Sequence, residues 1–555
     1  MRGAAGRWIL IVFTSSSLAA AAADDAPAKA AAALRHREDG ARLLKAGDMA
    51  AALEAFRRAA AADPADALSH DRIGAILAET GAVEAALAEF REAVRLDERR
   101  AEAHFHLGLA CDRTGRTPEA IAAYHQALRR QPDLAEAAYW LSGLCARIGD
   151  VDGAILALRR VVAATPRFAE ARYNLGVNLW TRYKGSAAPP QKRDLDEAVE
   201  QLEAARAVAP VQAKIAATLG QVLVERQSLE SAIARLREAV SLAPHEPAYA
   251  YDLGLALRLD GDLDGAQVQL RAALTLDPKH GEARRALGLV LRQQGDLAGA
   301  ERELQLSVAE RPSDAQGHNV LGTVRLRRGD LESALASFEN AVRLEPTLVE
   351  ARVNLAQALA RAGRADDARV EQAEVERLQA ARAGIGRAML LLETAAGELA
   401  RGETPSALER LREATVSAPE LAEAHYALAT ALRGAGNTRE AEAELLRTLQ
   451  LDPEHVLARA AIGVLLVARG ERETGMDQLR RAVERRPSLL EAQRALARES
   501  AERRDWRAAE SALSAVLAWE PEDAEARRAL GPVLKALGKN EAVSGPSARR
   551  GSGDP

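Results

Sequence analysis

Three side-chain types recur in this sequence at spacings that could support chemistry: aspartates at alternate positions, histidines at a fixed interval, and a pair of cysteines. Asp260, Asp262, Asp264 and Gly265 spell DxDxDG, the opening of a calcium loop in which alternate oxygens surround the ion. The twelfth position of such a loop must supply a bidentate Glu, and here it is Arg271, so an ordinary turn is the better reading. His36, His70 and His104 follow one another at one interval, and His318 and His425 take the same place in later segments. Zinc ligands all lie about 2 Å from the metal. Stacked helices would hold successive histidines about 10 Å apart, so they cannot share an ion and must serve packing. Cys111 and Cys145 are also one interval apart. At an interhelical distance of about 8–10 Å they exceed the ~7 Å reach of a disulfide and read as small buried thiols. No hydrolase elbow, phosphate-binding loop, HExxH site or CxxC pair occurs. The reading is therefore of a non-enzyme with no catalytic residue, no metal and no cofactor.

The interval itself is the dominant feature. Pro64, Pro132, Pro166, then Pro210, Pro244, Pro278, Pro312 and Pro346, then Pro419, Pro453, Pro487 and Pro521 mark a 34-residue period, with Glu98 in the one slot of the first series that lacks proline. Each proline stops one helix and holds the chain extended before the next. Within the period, Gly40, Gly74, Gly108, Gly176, Gly220, Gly254, Gly288 and Gly322 return in a first helix, and Ala52, Ala86, Ala120, Ala154, Ala198, Ala232, Ala266, Ala300 and Ala334 in a second. Glycine inside a helix costs about 1 kcal/mol against alanine, so its return predicts two backbones crossing too closely for a side chain. Leu331, Ala334, Leu335, Phe338, Ala341 and Val342 fall on one helical face. Gly-Asp pairs such as Gly149-Asp150, Gly261-Asp262 and Gly329-Asp330 end one helix and begin the next. With aromatics at 3% and alanine abundant, closely packed helices are favoured over sheets.

The pattern resembles the tetratricopeptide repeat family, carried by YNLG at Tyr173 to Gly176, YDLG at Tyr251 to Gly254 and LDP at Leu276 to Pro278. The resemblance implies an all-α, right-handed superhelical solenoid of stacked antiparallel helix pairs. Units beginning at residues 33, 67, 101, 135, 169, 213, 247, 281, 315, 349, 388, 422, 456 and 490 make fourteen repeats, followed by a closing helix near 524–538. Asp39 replaces the usual Leu in the first unit, as suits a terminal repeat facing water. Ten extra residues near 184–194, with Pro189-Pro190, predict a lengthened loop in the fifth unit. The tenth unit lacks its closing proline and is followed by extra residues including Gly384 and Gly386, which predict a hinge at 383–387. The expected organisation is a signal peptide at 1–23, a short linker at 24–32, a ten-repeat array at 33–382, the hinge, a four-repeat array with capping helix at 388–538, and a disordered tail at 539–555.

In this family, first helices line the concave side of the solenoid, and extended peptides dock there. The outward positions carry Glu102, Glu136 and Glu170 beside Phe105, Tyr139 and Tyr173, an acidic and aromatic ladder; Tyr251, Arg285 and Asn319 continue it. Aromatic anchors with spaced polar groups suit peptide recognition. The Lys, Arg and Asn clamp by which chaperone-tail-binding members hold a C-terminal carboxylate is missing, since Asn174 stands among Glu and aromatics. The asparagine ladder of the sugar-transferase arrays is reduced to Asn174 and Asn354.

Arg2 and Arg7, the apolar run Trp8 to Phe13 and the small residues up to Ala23 resemble a secretory signal, with the cut placed after Ala23 and no membrane span remaining afterwards. Arginine outnumbers lysine and no Asn-x-Ser/Thr sequon occurs, which points to a bacterial protein exported to the periplasm or released. A net charge of -5 without a basic run argues against nucleic acid. The expected function is a scaffold binding proteins or peptides in envelope or secretion-related assembly, with polysaccharide handling in an exopolysaccharide export system as the rival reading. The sequence does not fix the oligomeric state.

Overall fold

The computed structural model describes residues 26–185 and 192–539. The expected signal at 1–23, most of the inserted loop and nearly all of the expected tail at 539–555 lie outside the described residues. Among the described residues there are 28 helices and no strand. They form an all-α helical solenoid in which two helices make one repeat and, within each of two compact units, consecutive repeats pack on one another. The helices run in chain order from Ala26–Lys45 to Ala524–Ala536.

The turn inside a repeat follows from local chemistry. Gly295 ends helix Gly281–Gln294 at φ 89°, a conformation that a side chain would strain. The next residue, Asp296, accepts a hydrogen bond from the Gly299 amide at 2.8 Å and so caps helix Leu297–Glu310. Asp262 does the same for Leu263–Leu276 through Gly265, at 2.9 Å. The DxDxDG segment is thus an N-cap, and Asp264 accepts from the Gln294 side chain at 2.8 Å.

The recurrent glycine meets a specific partner. A Cβ on Gly322 would lie 2.5 Å from the Phe338 ring, and one on Gly254 would lie 2.8 Å from Leu270 and 3.3 Å from the Ala266 carbonyl. The close approach therefore involves the large side chain four residues beyond the recurrent alanine as well as the alanine backbone. Phe56, Phe90, Tyr124 and Phe338, all fully buried, fill this place in their repeats.

Histidines at the fourth position of first helices do not merely fill space. The ring Nε2 of His104 donates to the Glu98 carbonyl at 3.0 Å, and that of His425 to the Pro419 carbonyl at 3.1 Å. Arg284 and Arg352 reach the carbonyls of Pro278 and Pro346 in the same way, each at 2.6 Å. Side chains at this position also meet an acid on their own second helix: His70 with Glu89 at 2.7 Å, His425 with Glu444 at 2.6 Å, Arg352 with Glu371 at 2.6 Å. Position four therefore ties the end of one repeat to both helices of the next. The link uses a backbone acceptor, which is why Glu98 can stand where other repeats have proline.

Two compact units result, one made of residues up to 166 together with those from 459 onward, the other of 167–458. Two expected segment boundaries differ. Helix Ala26–Lys45 begins inside the expected linker at 24–32, where an alanine-rich stretch favours continued helix. At 383–387 there is no hinge: a single 36-residue helix, Ala365–Ala400, joins the second helix of the tenth repeat to the first helix of the eleventh. With no proline to stop it, the extra residues extend the helix. Gly384 serves packing, because a Cβ there would lie 2.3 Å from the Ser417 carbonyl. At the fifth repeat, helices Ala169–Gly185 and Lys192–Val208 run further than a loop at 184–194 requires. Their ends are joined by Arg182, which donates twice to Asp194, at 2.7 and 2.6 Å.

Candidate partner-binding face of the first helices

Within each unit, successive first helices touch one another more than successive second helices do, so first helices form the inner layer. Side chains that project from this layer are the recognition candidates.

In the first unit, Phe105 is half-buried, 5.6 Å from the His106 ring and 6.2 Å from that of Tyr124. Beside it, His106 Nδ1 lies 2.7 Å from the fully buried Asp71. Burial would raise the Asp71 carboxyl, but the charge and hydrogen bond of His106, with Arg72 and Arg100, hold it below the usual range. Glu102 pairs loosely with Arg100, at 3.7 Å. Glu136 and Tyr139 are half-buried, and the neighbouring Trp140, which the ladder omitted, is 43% exposed. An amphipathic ring left in water on a first helix is a further candidate for recognition.

The second unit holds the other members, and here the ladder changes character. Lys214, from the next repeat, donates to both carboxylate oxygens of Glu170 at 2.9 and 3.0 Å and lies 4.8 Å from the centre of the Tyr173 ring. This rung is therefore charge-neutral. The sequence signal was available: Lys214 occupies the place of Glu170 one repeat on, displaced by the insertion. Tyr173 also approaches Thr218, 3.4 Å between hydroxyls.

The Tyr251 ring lies 4.9 Å from that of His280 at a tilt of 36°, and burial raises its phenol. Its neighbour Asp252 accepts from the Gln221 side chain at 2.7 Å; burial, against that bond and the His280 charge, lifts its carboxyl to about 6. Arg285 is engaged by Asp314 at 3.4 Å. Asn319 departs from expectation: it is buried, and its Oδ1 accepts from Asn354 Nδ2 at 2.8 Å. Its position faces the neighbouring first helix, so an amide there meets an amide across the junction.

Each unit also holds a hollow. In the second unit a cavity of about 440 Å³ opens between Glu350, Val353 and Asn354 on one helix and Gln379 and Arg382 on the long helix. In the first unit, a cavity of about 240 Å³ is lined by Ile121, His125, Arg480 and Ala512 among others. His125 is buried there, and desolvation pushes its imidazole down to about 3, so it is neutral. Cys111 and Cys145 are buried free thiols, the former raised by burial to about 11, so neither is a ready nucleophile. Among the described residues no group of three His, Cys, Asp or Glu side chains is arranged to hold a metal, and no helix is long and apolar enough to cross a membrane.

Sequence models described as tetratricopeptide repeat match residues 112–167, 147–182, 191–247, 217–269, 319–385 and 426–489, and also 257–323; a further repeat model matches 74–115. No curated protein matches the chain. Among solved structures, MamA from Desulfovibrio magneticus RS-1 is 27% identical, the match covering 30% of this chain and 94% of that one at a TM-score of 0.29. YrrB, described as a TPR protein with an unusual peptide-binding site, is 25% identical, with 38% and 99% covered and a TM-score of 0.32. Yeast Tom70 is 13% identical over 81% of this chain and 98% of its own, also at 0.32. Similarity at these TM-scores carries no argument about function.

Proposed function

The chain belongs to the tetratricopeptide repeat family, and from that premise we propose that it is a non-enzymatic scaffold whose first-helix face binds extended segments of partner proteins in envelope or secretion-related assembly. The family relation supports protein binding. The observation that carries the choice of face is the return of a half-buried aromatic at one place in the first helix, as Phe105, Tyr139, Tyr173 and Tyr251. Such rings offer large contact area at low entropic cost and keep a polar tip for hydrogen bonding. The N-terminal pattern of Arg2, Arg7, the apolar run and Ala23 supports export to the periplasm or beyond.

Affinity capture from the exported fraction, read by mass spectrometry, tests this reading. Wild type is compared with Tyr139→Ala plus Tyr173→Ala and, separately, with Tyr251→Ala. Specific proteins retained by wild type and lost by the variants support it. Identical captures from all three would reduce the aromatic row to packing.

A further inference from the structure

The arginines of this protein are mostly paired. Around the ninth repeat, Arg325 and Arg328 both engage Glu301, Arg285 engages Asp314, and Arg284 engages Glu303 and Glu310. Among the arginines outside such pairs, four stand near the ends of successive first helices: Arg258 on Pro247–Asp260, Arg292 on Gly281–Gln294, Arg327 on Ala315–Arg327 and Arg361 on Val349–Arg361. Among the described residues none of the four has a carboxylate within 4.0 Å. The Nε of Arg258 is buried without a hydrogen-bond partner. Arg292 is half-buried, and its one neutral contact is Thr323 on the next first helix, at 3.2 Å. That bond places Arg292 on the layer where first helices meet. Burial, and then the charges of Arg327 and Arg258, lower the Arg292 guanidinium. Arg327 and Arg361 are exposed.

Like charges brought together without counter-charges repel, and a half-buried guanidinium with an unsatisfied N–H costs free energy. The helix C-termini offset part of this, but their attraction is equally present at the paired arginines elsewhere. We propose that Arg258, Arg292, Arg327 and Arg361 form a row that binds an acidic peptide segment, one carboxylate to each repeat. This rests on the reading of the first-helix face as the partner surface and names the chemistry of one partner. Geometry sets the spacing. Successive first helices lie about 10 Å apart, and a peptide in the polyproline II form rises about 3.1 Å per residue with three residues per turn, so acids at every third residue share one side and match the row. Guanidinium suits this task because it can meet each carboxylate with two parallel N–H bonds.

The test uses the full chain and a labelled ten-residue peptide, blocked at both ends, with Glu at every third position among Gly and Ser. Anisotropy at low salt compares it with the Gln analogue. We expect the Glu peptide to bind at least tenfold more tightly, and Arg258→Gln/Arg292→Gln/Arg327→Gln to remove that advantage while its circular dichroism stays wild type. The exposed pair Arg327→Gln/Arg361→Gln, which disturbs no buried group, should lose part of it. Equal affinity for Glu and Gln peptides, or full affinity in the triple variant, would overturn the proposal. An anionic polysaccharide such as alginate displacing the peptide at lower charge concentration would overturn it too. If partners in the capture experiment are lost with Tyr251→Ala but kept by the arginine variants, the acidic-segment proposal fails while the scaffold reading stands.

Discussion

Asp150 and Ser488 stand 338 positions apart in sequence and meet in the interior of the first unit: the Ser488 amide donates to Oδ2 at 2.9 Å and its hydroxyl to Oδ1 at 2.7 Å. The same carboxylate caps helix Val151–Ala164 by accepting from Gly153 at 2.9 Å. Around it Arg486 reaches Asp152 at 3.4 Å, Arg160 donates to the Ala518 carbonyl, and Lys539 bridges Glu98 and Glu510 at 3.2 and 2.9 Å. Asp150→Ala removes three acceptor contacts and strands two buried N–H groups, so the unit should lose about 2–4 kcal/mol. Ser488→Ala removes only the hydroxyl and should cost about 1 kcal/mol. Urea unfolding of both single variants and the double variant checks this. A coupling energy of about 0.5 kcal/mol or more is expected, and strict additivity would mean that the contact contributes nothing.

A pH dependence follows from Asp252. Burial raises its carboxyl from 3.8 to about 6 in the folded chain. Between those values the folded state holds a proton that the unfolded state has released, so stability falls as pH rises through this window. Asp252→Asn keeps an oxygen to accept from Gln221 and removes the charge. The variant should be more stable than wild type at pH 8, by on the order of 1–3 kcal/mol, and equal to it near pH 4. Urea midpoints of the second unit's transition across pH 4 to 8 measure this, and parallel curves for the two proteins would contradict it.

Gly322 presents a competition between two known effects. Alanine would gain about 1 kcal/mol of helix propensity. Its Cβ would meet the Phe338 ring at 2.5 Å, and that ring is fully buried. Overpacking of this kind costs about 1–3 kcal/mol, so Gly322→Ala should be destabilising on balance. Hydrogen exchange should show the loss around Leu331–Leu344 first, since each repeat contacts only its neighbours. Unchanged protection there would show that Phe338 can yield.

What the sequence made legible was whatever repeats. Glycine, alanine, proline and Gly-Asp return at one interval because each repeat solves the same packing problem, and the helix pairs follow. The acids and aromatics of the inner layer were visible for the same reason. Lys214 was hidden because the insertion shifts its register against Glu170, and Asn319 because a polar residue on an inner row can face a neighbouring helix as readily as solvent. The arginine row escaped notice because arginine is abundant, and only coordinates separate paired from unpaired ones. Contacts such as Asp150 with Ser488 have no periodic signature at all.

The segment at 383–387 offers the sharpest contrast between sequence and structure, because glycine can mark either a break in a helix or a close approach to one. Gly384 and Gly386 sit two residues apart in the same continuous helix. A Cβ at Gly384 would lie 2.3 Å from the Ser417 carbonyl, whereas at Gly386 it would meet nothing within 4 Å. A hinge would make both substitutions behave alike, since alanine would stiffen the same flexible point. Close packing makes them differ in sign. Gly386→Ala should stabilise the second unit by about 0.5–1 kcal/mol through helix propensity alone. Gly384→Ala should destabilise it by about 1–3 kcal/mol, because a backbone carbonyl cannot rotate away and helix Thr404–Ser417 must shift instead. Thermal or urea unfolding of the two variants reads the sign directly; two shifts in the same direction would restore the hinge.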